Sequence, residues 1–319
     1  MKNLSAILLL FTANIISGIA QGISIIAIPW YFAQRNDMTT FGLIYLLVTV
    51  ISIIWGPYSG TLVDRFNRKY IFLALTTVCG LLVFSISAYG FAQDGLPWYL
   101  VGLVFVITFL NFNLHYPNLY AFVQEITERA YRGSITSYIE IQGQLTTVIA
   151  GGAAAMLLEG TENGIVNVFG FKLDVGFSVE AWQIHEIFAL DASTYLLAFI
   201  VISFIRFVPI KERKKEVGTV WEQLKTGLSY LKEHPIILRF GILSYSIFVA
   251  VLIMNFYLGA NYVRANLDAS GDVYANSEIY YAIGALLSGV AIRRVFKDMS
   301  ISFSVTLMTW VTAALFAVL

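Results

Sequence analysis

The sequence predicts an all-α polytopic membrane protein, and three observations carry that prediction. Of the 319 residues, 58% are hydrophobic and only 13% charged, with a mean hydropathy of +0.74; an ordinary soluble domain has about 45–50% apolar and about 25% charged residues. Nine predominantly apolar runs recur along the chain, at or near the roughly 20 residues that a helix rising ~1.5 Å per residue needs to cross the hydrocarbon. Finally, 17 of the 20 lysines and arginines fall into one set of alternating loops. Strands of a membrane β-barrel would alternate apolar and polar positions over ~10 residues, and these runs do not.

The runs occupy about 4–33, 39–59, 70–92, 97–123, 134–158, 185–208, 236–262, 277–292 and 300–319. Backbone polar groups in lipid must be satisfied within the spanning segment, so each run is expected to be helical. The first run continues through Ile25, Ile26 and Ile28 to Trp30 and Tyr31. That is longer than the apolar core of a signal peptide, and it ends on an interfacial aromatic pair, so it is expected to be a retained span. With the N-terminus inside, the inner loops collect Lys2, Arg65, Arg68, Lys69, Arg129, Arg132 and eleven further cations, and the outside keeps Arg35, Lys172 and Arg264. The positive-inside rule then places the N-terminus in the cytoplasm.

Composition also excludes several functions. Twenty basic against twenty acidic residues argue against a nucleic-acid binder, and one cysteine, Cys79, rules out a disulfide framework or a multi-cysteine metal site. Three histidines leave little for a zinc centre, and no cofactor or metal is expected. His185 and Asp191 are separated by one residue too many for an acyltransferase His-x4-Asp motif. No nucleophile elbow, zinc motif or phosphate-binding glycine loop occurs.

Two connections are long. Residues 159–184 supply turn-forming Gly, Asn and Asp, and residues 209–235 carry the basic run Lys211 to Lys215. After that run Trp221, Leu224, Leu228 and Leu231 recur at helical spacing among Glu222, Lys225 and Lys232. This pattern describes either an amphipathic helix on the inner membrane surface or a solvated linker helix. The chain therefore divides into a six-span half (1–208), a linker (209–235) and a three-span segment (236–319).

Between the second and third runs lies Gly56-Pro57-Tyr58-Ser59-Gly60-Thr61-Leu62-Val63-Asp64-Arg65-Phe66-Asn67-Arg68-Lys69. Its small residues let helices approach closely, and its acid and cations form a compact charged cluster. The stretch Ser288 to Asp298 repeats it 229 residues later: Ser-Gly recurs, Arg294 falls on Arg65, Lys297 on Arg68, and Arg293 replaces Asp64. The second part is expected to be a degenerate copy of the first.

This repeat and the Gly60…Asp64-Arg65…Arg68-Lys69 signature resemble the major facilitator superfamily. Ile28-Pro29-Trp30, Leu190-Asp191-Ala192-Ser193 and Gly227-Leu228-Ser229-Tyr230-Leu231 resemble its macrolide-efflux and enterobactin-exporter branch. The resemblance implies two six-helix repeats, the second incomplete, since about nine of twelve spans are present and the chain is expected to be C-terminally truncated. It also implies that Gly60, Asp64, Arg65, Arg68 and Lys69 form a gating motif, with Asp64 and Arg68 holding the two halves together in the outward-facing state. Antiporters of the superfamily tend to carry a Gly-Pro kink in span five; here Thr147 to Gly152 has glycines and no proline.

A charge inside the bilayer costs at least ~2.5–3.5 kcal/mol on insertion scales, so each intramembrane polar group calls for a reason. Glu140 in span five and His115 in span four are expected at similar depths, ~10–15 Å below the surface. They form a candidate proton relay in which the histidine tunes the acid. Pairing of Glu140 with Arg129 or Arg132 is the alternative. Gln144 follows Glu140 on the same face. Asn14, Ser17 and Gln21 form one polar stripe on span one. Because spans one, four and seven line the cavity in the resembled family, Asn14, Gln21, Asn111, Asn113, Gln144, Asn255 and Tyr257 are candidate substrate contacts. Asp191 reads as a helix-capping acid.

The resulting expectation is a secondary active transporter of the bacterial inner membrane, monomeric, working by alternating access. It would export an amphipathic small molecule, drug-like or siderophore-like, with protons as the coupling ion. An importer of a small solute or a lipid transporter of the same fold is the alternative.

Overall fold

The structure is a computed structural model that describes residues 3–161, 164–168, 171–174, 176–210, 219–295 and 299–318. The chain order is α1 (Leu4–Gln34), α2 (Met38–Arg65), α3 (Arg68–Gln93), α4 (Trp98–Ile126), a 3₁₀ turn (Arg129–Tyr131), α5 (Arg132–Glu159), β1 (Ile165–Val168), β2 (Phe171–Asp174) and α6 (Ile184–Ser203). It continues through α7 (Val220–Glu233), α8 (Pro235–Ile253), π-helical segments Met254–Gly259 and Tyr262–Asn266, α9 (Gly271–Val295) and α10 (Ile301–Val318). Every apolar run coincides with a helix. Among the described residues, seven are long and apolar enough to cross a membrane: α1 to α6, and α8 with its first π-helical segment. Helix α9 carries Asp272 and Glu278, and the apolar stretch of α10, Ile301–Leu315, is shorter. The predicted runs were too short at several ends because the helices extend beyond the hydrocarbon into polar residues, as at Arg65, Arg132 and Gly271.

Two connections hold structure of their own. In the 159–184 loop, β1 and β2 pair antiparallel, with Val168 opposite Phe171, which the turn-rich composition did not predict. The 209–235 connection contains the expected helix α7, whose N-terminus carries a capping box between Thr219 and Glu222. Lys211 to Lys215 and Lys297 lie outside the described residues, as do the side chains of Arg293 and Arg294.

The helices run between two faces. One, here the basic face, gathers Asn3, the α2–α3 corner, the 3₁₀ turn and the end of α6. The other, the hairpin face, gathers the α1–α2 and α3–α4 corners, the β-hairpin and the start of α9. Helix α3 packs chiefly on α6, α1 on α6 and α5, and α5 on α9. The close approaches use glycine. A Cβ at Gly80 would lie 2.9 Å from the Cβ of Tyr195, one at Gly22 2.7 Å from the Cβ of Ala150, and one at Gly90 would overlap His185. This is the small-residue packing that membrane helices use where no hydrophobic effect drives them together.

Polar side chains tie the helix ends. On the basic face the Asn3 amide donates to the carbonyls of Ile126 and Val208, both at 2.9 Å, and its oxygen accepts from the Val208 N–H. Tyr31 donates to the Leu96 carbonyl at 2.8 Å on the hairpin face. Gly90→Ala is expected to cost about 1–3 kcal/mol, the range for overpacking, whereas Gly152→Ala, with open space at that position, should be neutral. Thermal unfolding of both variants in detergent checks this.

Candidate functional site

A cavity of about 300 Å³ lies among α1, α3, α4, α5, α6, α8 and α9. Its wall is mostly apolar, from Leu10, Ile25 and Phe72 to Phe248, Val251 and Phe256. Set into it are Asn14, Ser17 and Gln21 of α1, Asn111 and His115 of α4, Gln142 and Thr146 of α5, Tyr195 of α6, Asn255, and Glu278 and Tyr281 of α9. The α1 stripe expected from its spacing thus faces this space along its length.

The polar groups are organised in pairs. The His115 ring nitrogen Nε2 lies 2.8 Å from Asn14 Oδ1. The Tyr195 hydroxyl accepts from Gln21 at 3.2 Å and from Asn111 at 3.3 Å, joining α1, α4 and α6 at one point. Gln142 is buried with neither side-chain polar atom bonded, so its amide is available to whatever occupies the cavity. Asn255 donates to Glu278 Oε2 across a long 3.4 Å.

Several expected contacts fall elsewhere. His115 and Glu140 do not pair: His115 turns to Asn14, while Glu140 is exposed and accepts from the Tyr120 hydroxyl one helix away. Neither Arg129 nor Arg132 reaches Glu140; Arg132 Nε donates to the Thr127 carbonyl. The reason is helical phase. The cavity face of α5 is Gln142, Thr146 and Ala150, and Glu140 with Gln144 lies about 160° around the axis from it, since two residues turn a helix by roughly 200°. Asn113 faces α2, donating to the Phe109 carbonyl at 2.9 Å and to Ser52 Oγ at 3.5 Å. Tyr257 packs on Gly42, where a Cβ would meet its ring at 2.7 Å. Asp191 is no cap: Gln183 and Glu186 cap α6, and Asp191 is fully buried inside it, facing Ser24 with neither carboxyl oxygen in a hydrogen bond.

At the α2–α3 corner, Arg68 Nη1 pairs with Glu125 Oε2 at 2.6 Å, with little of either side chain exposed. The Arg68 carbonyl accepts from Asn118 at 2.9 Å, and Lys69 Nζ donates to the carbonyls of Ser203 and Ile205, both at 2.8 Å. Asn67 caps α3 by accepting from the Lys69 N–H. Asp64 and Arg65 are exposed at the end of α2, and Gly60 has open space beside it. In this state the corner therefore clasps α3 to α4 and α6, all within the first six helices, and Arg68 does not reach α8 to α10. Glu125 is the partner that sequence reasoning missed. Its position at the end of an apolar span, one turn from the next loop, was the available signal.

The first six helices meet α8 and α9 toward the hairpin face. The Gly271 N–H, opening α9, donates to Glu159 Oε1 at 2.6 Å, and a Cβ on Gly271 would stand 2.6 Å from Trp30 Nε1. Trp30 stacks on Tyr274 at 6.1 Å, and Phe256 contacts the rings of Tyr45 and Phe105. The Glu159 carboxylate thus sits at the positive end of the α9 dipole. The cavity is closed on this side and extends toward the basic face as far as Leu10, Phe72 and Ile202. This geometry is an intramembrane cleft bounded by helices from both parts of the chain and closed at one end, which is the arrangement of a membrane transporter.

The sequence profile of the Major Facilitator Superfamily matches residues 10–319, and the chain belongs to that family of membrane transporters. It is 20% identical over 288 residues to macrolide efflux protein A of Streptococcus pyogenes, covering 88% of this chain and 64% of that protein. It is 22% identical over 262 residues to an uncharacterized MFS-type transporter of Bacillus subtilis, covering 79% of this chain and 55% of that one. The chain thus spans less than two thirds of the length of these relatives. The crystal structure of a D-xylose–proton symporter superposes with a TM-score of 0.51 at 16% identity, covering 93% of this chain and 70% of the symporter, and so shares the fold.

Two outcomes are expected. Arg68→Ala or Glu125→Gln alone breaks a buried ion pair and should cost about 3–5 kcal/mol; the double variant should lose less than the sum of the two, in a thermal-unfolding cycle. Gly271→Val should wedge Trp30 from Glu159, so that a cysteine at Ile26 reacts several-fold faster with a polar maleimide.

Proposed function

We propose that the chain belongs to an exporter of amphipathic small molecules, working by alternating access in a bacterial plasma membrane. The two parts, 1–208 and 236–319, would rock about the cavity while 209–235 links them, in a monomer with its N-terminus in the cytoplasm. The observation that carries this reading is the cavity itself: a mostly apolar, aromatic wall with a few fixed amides and hydroxyls, the composition that holds an amphipathic solute in several poses. Transport belongs to the family, and the export direction is supported by the similarity to macrolide efflux protein A.

In the proposed cycle the state described here opens toward the basic face, which the distribution of cations places in the cytoplasm. Substrate would enter there and meet Gln21, Asn111 and Gln142. Closing that face would bring the exposed Asp64 and Arg65 toward the second part of the chain, while the Glu159–Gly271 contact breaks. Energy would come from protons. The cavity places His115 against Asn14 and keeps Glu140 outside, which supports His115 as a cavity group and leaves the Glu140 relay without its partner.

The test is accumulation of macrolides, dyes and siderophores in cells lacking their major exporters, with and without an uncoupler, using the gene read to its natural stop. Uncoupler-sensitive lowering of accumulation is expected. Asp64→Asn should abolish it with binding retained, Gln21→Ala and Asn111→Ala should weaken substrate affinity, and Glu140→Gln should stay within about twofold of wild type. Normal efflux by Asp64→Asn, or unchanged affinity in both cavity variants, would remove the assigned roles. Uptake in place of efflux would favour the importer reading.

A further inference from the structure

Glu278 is the only acidic side chain among the described residues lining the cavity, and no lysine or arginine lines it. It projects from α9, partly buried, and its hydrogen bond among the described residues is from the Asn255 amide at 3.4 Å, too long and too weak to compensate a carboxylate. The same cavity wall carries aromatic rings, Tyr281 from the same helix and Phe248 and Phe256 from α8 and the π-helical segment after it. A carboxylate so placed is expensive unless a counter-charge joins it, and the described residues that line the cavity supply none. Aromatic faces around an acid are the chemistry that receives an organic cation, whose charge pairs with the carboxylate while its apolar body lies on the rings. His115, the other ionisable group of opposite tendency, is on the α4 wall and committed to Asn14.

We propose that Glu278 is the charge-selecting group of the cavity and that the preferred substrates are lipophilic cations, such as protonated tertiary amines or quaternary onium ions. This rests on the transporter reading of the cavity and adds the class of substrate to it. Neutral amphipaths would bind through the rings alone and more weakly. In the sequence Glu278 is a lone acid on its span, with no polar stripe to mark the direction it faces.

The test is direct binding to the purified full chain in lipid nanodiscs, with tetraphenylphosphonium as the cation and triphenylphosphine oxide as its neutral counterpart. Wild type should bind the cation at least tenfold more tightly than the oxide, and Glu278→Gln should lose that preference while binding the oxide as before. Glu278→Asp should keep part of it. A second measurement needs no variant: dicyclohexylcarbodiimide should modify Glu278 in the wild-type protein, read by peptide mass spectrometry, and tetraphenylphosphonium should protect it where the oxide does not. Equal affinities for the two probes, unaltered cation binding by Glu278→Gln, or no protection would overturn the proposal. Efflux of neutral substrates alone would leave the transporter reading standing and sink this one; absence of efflux with selective cation binding would do the reverse.

Discussion

Everything in this molecule follows from the requirement that a backbone in hydrocarbon bond to itself. Helices meet that requirement along their length, so what distinguishes one helix from the next is its side chains, and a polar side chain in lipid has few ways to be satisfied. Here many serines and threonines bond a carbonyl of their own helix, and the larger side chains bond between elements: Trp55 to the Leu110 carbonyl, Ser87 to that of His185, Tyr31 to that of Leu96, and Gln21 with Asn111 to Tyr195. Such bonds contribute only about 1 kcal/mol or less apiece. Their effect is on register, because each fixes which turn of one helix stands beside which turn of another. Among the groups left unsatisfied, two have both side-chain polar atoms without a partner: Gln142 in the cavity and Asp191 in the α1–α6 contact.

The two faces are held together by different chemistry. On the basic face, Arg68–Glu125, Lys69 and Asn3 bind α1, α3, α4 and α6 to one another, and a buried ion pair of this kind fixes a geometry more than it adds stability. These contacts are internal to the first six helices and so survive any movement of the rest. Between the two parts, α5 packs along α9, with Gly151 close against Ile279 and the Ala275 carbonyl, and the hairpin-face end of that contact is one carboxylate on a helix N-terminus plus stacked rings. The clasps within the first part are charged and directional, whereas the contact between the parts is largely apolar packing.

The spans were legible because hydropathy needs no tertiary information: a run of apolar residues long enough for lipid is helical whatever its neighbours are. The amphipathic α7 was legible for a related reason, its apolar positions repeating at 3.6 residues. The α1 stripe of Asn14, Ser17 and Gln21 was legible too, since a polar row on an otherwise apolar helix marks one direction. Which direction a lone polar residue takes was not. Glu140 and Gln142 are two positions apart on α5, and only packing against α1 and α9 decides which meets the cavity. Asn113 and Tyr257 went to α2 for the same reason, and Glu125 became visible only when α3 and α4 were side by side.

The position of Asp191 follows from the same physics. It lies one turn before Tyr195 on α6, beside Ser24 of α1, at the contact where Gly80 and Gly90 bring α3 close. Tyr195 is the group on which Gln21 and Asn111 converge. Asp191 does not line the cavity. The acid that faces open cavity is Glu278 on α9, whereas the polar stripe of Asn14, Ser17 and Gln21 is on α1. In the proposed cycle the two parts would rock about that cavity, so the surroundings of Glu278 would change with each alternation, a cation held there would sense which face is open, and one side chain would couple selection of charge to alternation of access.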